Sequence, residues 1–232
     1  MLIPAIACKK MACAGSGGGI EKAARATAPF QQIELVGAID LVLTQGLENK
    51  ITVTGGSNIL PSVQTQVHNH VLLIENKAEC PWLQNPSQKT TVYAQVTNLR
   101  NIVYKGSGSI TCTNVLTADS LHFFTDVGAG VVTLNLDCNY FYARCELEST
   151  TLNVTGRAGA AYVYGNARSS MDLSRFAVED LDFGWVGAKN VTVQATRKLR
   201  AVLYHTGNVY YKGNPIEIET IYYSTGRLFA TP

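Results

Sequence analysis

"YKGSGSITCTNVLTADSLHFFTDVGAGVVTLNL", residues 104–136, carries one small cluster twice. Gly106-Ser107-Gly108 returns 22 residues later as Gly128-Ala129-Gly130, each time after a hydrophobic stretch and before a β-branched one. A dinucleotide loop requires G-x-G-x-x-G opening a helix. Ser109-Ile110-Thr111-Cys112 and Val131-Val132-Thr133-Leu134 are instead strand-like. The glycines therefore read as corners, where small residues tolerate an unusual backbone or a close neighbour.

Extending the comparison in both directions reveals a repeat. Segments beginning at Leu99, Leu121, Phe141, Ala160, Leu181, Leu199 and Ile218 follow at intervals of 22, 20, 19, 21, 18 and 19 residues. The eighth to tenth residues of each are small or polar. After the two glycine triplets come Glu148-Ser149-Thr150, Ala167-Arg168-Ser169, Ala188-Lys189-Asn190, Thr206-Gly207-Asn208 and Thr225-Gly226-Arg227. Two residues past each triplet lies a second apolar column, read as Ile110, Val132, Leu152, Met171, Thr192, Tyr210 and Phe229. A unit of strand, corner, strand and return is too thin to bury its own apolar face, but stacked copies form one continuous core. The predicted fold is all-β, a parallel β-helix or β-solenoid with rungs of about 20 residues and two or three short faces. Hairpins of a sandwich give strands at similar spacing, but hold such a triplet in register less readily. Gly106, Gly108, Gly128, Gly130, Gly207 and Gly226 are assigned to structural corners.

Residues 29–98 read as an N-terminal strand segment continuing or capping the stack, and 99–232 as seven regular repeats, together one domain. Ser57–Pro61 could hold one helical turn. Residues 1–28 read as a signal remnant and lipoprotein-type tether. Met1–Ala7 is a short apolar run before Cys8 and Lys9-Lys10, and Gly, Ser and Ala dominate from Ala14 to Ala28. Cys8 is the lipidation candidate; a chance apolar start is the alternative.

Among 232 residues only 16% are charged, the formal net charge is +2, and no basic cluster interleaves with aromatics. Nucleic acid is therefore not an expected partner, and a membrane is expected only through a lipid anchor. The six cysteines contain no C-x-x-C. Cys112 and Cys145 fall in different inward columns, Cys145 with Val103, Thr125, Trp185 and Leu203, so free thiols are expected.

Several familiar chemistries lack support. His68 and His70, two apart on one strand, share a face, but no third ligand stands nearby; no metal or cofactor is expected. His122 and His205 are isolated, His122 in an outward column. Glu179, Asp180 and Asp182 could pair for hydrolysis, but the flanking repeats offer no matching acids, so a solvated corner is preferred. Gly106-Ser107-Gly108 lacks the G-x-S-x-G elbow.

Aromatics crowd the last five repeats, and alternation sends about half of them outward. Tyr142, Tyr162, Trp185, Tyr204, Tyr211 and Tyr223 are the candidates for a binding face; core filling with scattered exposed tyrosines is the plainer alternative.

The segments Phe30–Gly46, Asn58–Pro61, the recurring triplets, Val209–Pro215 and Cys13–Gly17 together resemble the bacterial putative auto-transporter adhesin "head GIN" domain family. Glu148-Ser149-Thr150 and Ala167-Arg168-Ser169 depart from its glycine triplet. The resemblance implies a β-helical domain exported to the Gram-negative envelope, in the periplasm or on the outer surface, often as a lipoprotein, and supplies no catalytic residues. The expected role is a non-enzymatic, adhesin-like module binding a glycan or surface protein, with a homo-oligomer possible through its terminal strands. A β-helical pectinase-like lyase or hydrolase and a structural spacer are the alternatives.

Overall fold

A computed structural model describes residues 18–77, 88–125, 127–146 and 149–231. Cys8, Cys13, Cys80 and Glu148 lie outside them. Before the regular repeats come β1 (Ile20–Arg25), β2 (Gln32–Gly37), β3 (Asp40–Gln45), β4 (Lys50–Gly56), β5 (Val63–His68), β6 (Val71–Asn76) and β7 (Thr91–Val96). The repeats follow as β8 (Asn101–Gly106), β9 (Ile110–Cys112), β10 (Leu116–Thr125), β11 (Val131–Cys145), β12 (Thr151–Gly165), β13 (Ser170–Trp185), β14 (Val191–Leu203), β15 (Val209–Lys212), β16 (Glu217–Tyr222) and β17 (Leu228–Ala230). From β8 onward the ladders are parallel, as in the predicted β-solenoid.

The long strands bend where their in–out alternation slips. β12 has adjacent non-core residues at Thr155-Gly156 and Gly159-Ala160, and β13 at Ser174-Arg175 and Glu179-Asp180. With the triplet corner, these divide a rung into three faces. The first face stacks β8, the ends of β10 to β14, and β16. The second stacks β9, the starts of β11 to β14, β15 and β17. The third joins them through segments such as Leu136–Cys138 over Leu116–Ala118. One core runs through the stack, from Ile33 and Leu35 to Leu199 and Leu203.

The N-terminal end departs from sequence order. β2 lies between β6 and β8, and β3 between β7 and β9, so this first rung is inserted into the stack. β4 runs antiparallel on β7, β5 antiparallel on β6, and β1 antiparallel on β4. With a 3₁₀ turn at Leu60–Ser62, these strands bury Ile51, Val53, Leu60 and Val63 and close this end of the core. The stretch read as tether thus contains a strand. Ala23 packs against the core and Arg25 donates to the Leu60 carbonyl at 2.8 Å. His68 ends β5 and His70 lies in the hairpin turn, so the two do not share one strand: Asn69 and His70 have φ of 48° and 62°, the pair of left-handed residues a two-residue turn needs.

The corner glycines serve close packing, because left-handed φ occurs elsewhere, at Gly18, Gly37, Gly156 and Gly213 among the described glycines. A Cβ on Gly108 would lie 2.0 Å from the Ile39 carbonyl oxygen, and one on Gly130 2.1 Å from that of Gly108. In the middle rungs, buried Thr150 and Ser169 take over this position. Thr150 Oγ1 donates to the Gly128 carbonyl at 2.5 Å, and Ser169 Oγ bonds Asn166 Oδ1 at 3.0 Å. Both hydroxyls are thereby satisfied, that of Thr150 by the backbone of the preceding rung and that of Ser169 by a nearby side chain.

Register corrects three columns. Asp172, Thr192, Tyr210 and Phe229 pair in sequence and face outward, while Val191, Val209 and Leu228 fill the inward column. The later rungs need one residue fewer after the triplet, and a one-residue slip reverses every side chain. Ala161, not Ala160, pairs with Phe141 and Leu181. Thr125 and Cys145 continue from Tyr104, not Val103.

Cys112, Cys138 and Cys145 are free thiols. Burial pushes Cys145 up to about 12 and Cys112 and Cys138 up to about 11, which keeps all three protonated at neutral pH. Titration with Ellman's reagent at pH 8 is expected to count at least three more thiols in guanidinium than in buffer. Equal counts would show that these positions are open in the native chain.

Candidate binding face

Parallel in-register stacking places equivalent outward side chains about 4.8 Å apart. On the first face one outward row reads His122, Tyr142, Tyr162, then Asp182, Arg200, Glu219. The row two residues on reads Phe124, Arg144, Tyr164, then Gly184, Val202, Ile221. Each row changes character at the same rung, from rings to ions in one and from large to small in the other.

The rings touch. Tyr142 and Tyr162 are stacked at 5.2 Å with 16° between planes, His122 lies 5.6 Å from Tyr142, and Phe124 lies 5.2 Å from Tyr142. Arg144 extends over Tyr164, 5.6 Å from its centroid, and pairs with Glu146. At the edge of the face, Tyr204 and Tyr223 stack at 5.1 Å with 3° between planes, and Tyr164 approaches Tyr204 at 6.3 Å.

Stacked rings cover one another's π faces. Tyr162 ends its ladder because the next residue in register is Asp182. The loss of a ring there, and of any large side chain at Ala160 beside Tyr140, opens a depression of about 280 Å³. Ala160, Ala161 and Leu181 supply its apolar part, Tyr140 and Tyr162 its aromatic part, and Asp180, Asp182, Lys198 and Arg200 its charged part.

Those charges are organised. Arg200 Nη1 donates to both oxygens of Asp182 at 3.0 and 3.1 Å, and its Nε reaches Glu219 at 3.4 Å. Arg197 pairs with Asp180, and Lys198 donates to Glu217 at 2.6 Å. The hydrogen bond that Arg200 donates to Asp182 raises its guanidinium above the usual value. Burial raises the phenols of Tyr140 and Tyr162, helped by Tyr142 and Asp182, so both remain neutral hydroxyls at physiological pH. The depression thus offers apolar surface, neutral hydroxyls and a fixed carboxylate–guanidinium pair. Both Asp180 and Asp182 are ion-paired with arginine.

Of the six aromatics expected on a face, Tyr142, Tyr162, Tyr204 and Tyr223 are there, in two separate stacks. Two point inward. Trp185 is 1% exposed, and its indole donates to the Lys189 carbonyl at 2.9 Å. Tyr211 follows Val193 in an inward column and packs against the core. His122 is not isolated but begins the aromatic row. Tyr140, Phe124 and Arg144 were missed as members of the face. Counting outward positions on either side of buried Phe123 and Phe141 would have found all three.

Residues 29–215 match the family described as putative auto-transporter adhesin, head GIN domain. No curated protein matches the chain. Three solved structures share the fold at 18–19% identity. A putative adhesin from Bacteroides fragilis superposes with a TM-score of 0.83 over 94% of this chain and 100% of its own, at 18% identity. A putative adhesin from Parabacteroides distasonis gives 0.73 over 93% and 99%, at 19%. A putative lipid binding protein from the same species gives 0.64 over 94% and 99%, at 18%. With a family match across most of its length, the chain belongs to the putative auto-transporter adhesin, head GIN domain family.

Proposed function

We propose that the chain is a non-enzymatic, adhesin-like module of the cell envelope, exported and lipid-anchored through Cys8, and that its first face binds a glycan. The observation that carries the ligand class is the end of the aromatic ladder. Tyr162 presents a ring beside an apolar floor, with the Asp182–Arg200 pair on the next rungs. A pyranose has an apolar C–H face and a rim of hydroxyls, and this site matches both: ring and alanines for the former, carboxylate, guanidinium and phenols for the latter. Membership of the putative adhesin family and the fold shared with two putative adhesins support the adhesin-like part of the reading.

The test is a glycan array probed with the whole chain, followed by calorimetry on the best oligosaccharide. Tyr162→Ala and Arg200→Ala are each expected to weaken binding about tenfold or more, equivalent to about 1.4 kcal/mol, with unchanged circular dichroism. Absence of binding across the array would remove the glycan reading. Release of unsaturated products or new reducing ends from polygalacturonate would remove the non-enzymatic one.

A further inference from the structure

The two ends of the solenoid are finished differently. At the N-terminal end, antiparallel strands and a 3₁₀ turn cover the core. At the other end, β16 and β17 are the outermost strands described, and side chains in inward columns look out of the stack. Ile218 continues from fully buried Leu199 yet is 44% exposed, and Tyr222 continues from buried Leu203 yet is 41% exposed. Ile216 is 89% and Phe229 45% exposed beside them.

We propose that this end is a homodimer interface in which two copies meet head to head and β16 pairs antiparallel with β16 of the second copy. Three properties of the end point to a second copy. The first is register. Side chains on opposed strands must share a face, and a two-fold axis through Thr220 satisfies this. It sets Thr220 opposite Thr220, Ile218 opposite Tyr222, Glu219 opposite Ile221 and Glu217 opposite Tyr223.

The second is charge. No like charges fall opposite each other in that register, and Glu217 and Glu219 are already engaged by Lys198 and Arg200. Arg227 nearby lies over the Tyr222 ring at 5.0 Å and donates to the Ser224 and Gly226 carbonyls.

The third is shape. One circuit climbs one strand spacing, about 4.8 Å. The end therefore stands highest at β17 on the second face, lowest at residues 213–216 on the third, and midway at β16. A two-fold axis through the middle of β16 exchanges the second and third faces. High then meets low, and Ile216 of each copy comes over Leu228 and Phe229 of the other. An edge that would otherwise invite any exposed strand is occupied by its own equivalent.

The test is the mass of the whole chain by light scattering after size exclusion, across a concentration series. The wild-type chain is expected at twice its chain mass, and Thr220→Lys, which opposes two ammonium groups on the axis, at the single mass with unchanged thermal stability at low concentration. Thr220→Cys is expected to form an intermolecular disulfide under mild oxidation, while Thr231→Cys, away from the axis, does not. A wild-type chain that stays monomeric throughout the series, leaving the edge to a strand of another protein, overturns the proposal. So does a Thr220→Lys chain that remains dimeric, or a Thr220→Cys chain that cross-links no faster than Thr231→Cys.

Discussion

Replacing Gly108 by valine is expected to destabilise the chain by about 3 kcal/mol or more and to lower its Tm by about 6–12 °C. The new Cβ would sit 2.0 Å from the Ile39 carbonyl oxygen, 2.3 Å from its carbon and 2.9 Å from the Asp40 nitrogen. All three are backbone atoms of the preceding rung, so no side chain can swing aside. Relief requires moving the corner, and the corner is tied down: Leu41 N–H donates to the Ser109 carbonyl at 2.7 Å, and Ser109 N–H donates to Asp40 Oδ1 at 2.6 Å. The Tyr104 hydroxyl, buried beneath this turn, donates to the Gly108 carbonyl at 2.5 Å. Gly19→Ala is the control, since nothing lies within 4 Å of its Cβ position and its φ is ordinary. Urea denaturation of both variants decides the matter; comparable midpoints would mean that the corners need glycine for no steric reason.

This steric role shows what was legible beforehand. The period, the parallel stack and the corner positions of Gly106, Gly108, Gly128, Gly130, Gly207 and Gly226 follow from spacing, because a small residue must recur wherever one rung's backbone packs on the last. The reason for glycine at each corner was not legible. Closeness of Gly130 to the Gly108 carbonyl is a contact between rungs, and a left-handed turn predicts the same residue type. The insertion of β2 between β6 and β8 was hidden for a related cause: alternation identifies a strand but carries no information about which strand lies beside it. Register was legible only while rung lengths held. Where the later rungs hold one residue fewer between the first-face column and the next inward position, as from Leu181 to Val191, the inferred core column moved onto Thr192, Tyr210 and Phe229, and Tyr211 was taken for a surface residue. Asp182 and Arg200 gain their meaning only from that register, which places them on the rungs next to Tyr162. Residue type alone made Asp182, with Glu179 and Asp180, a solvated corner.

Trp185 carries the other large expected effect, and it separates folding from binding on a single strand. Trp185→Ala is expected to cost about 3–5 kcal/mol and to leave the glycan binding proposed at Tyr162 intact at temperatures where the variant is folded. The indole fills the corner between rungs much as Tyr104 does near the other end. Each donates from its polar tip to a carbonyl four residues on, Tyr104 to Gly108 and Trp185 to Lys189. Glycines clear the space around it. A Cβ on Gly187 would lie 2.2 Å from Trp185 Cζ2, one on Gly165 2.6 Å from Cζ3, and one on Gly207 2.7 Å from Nε1. Glycine and tryptophan here are therefore one arrangement, and their effects should couple. Gly165→Ala is expected to destabilise the wild-type chain, but to be nearly neutral or stabilising in the Trp185→Ala background, where its methyl group enters the vacated space. Stability curves for the four chains of this cycle give the coupling directly. If Gly165→Ala costs the same with and without the indole, the tryptophan does not set the requirement for glycine. Tyr162→Ala should show the opposite profile, with binding lost and stability little changed, because its ring packs along an outward row and not inside the stack.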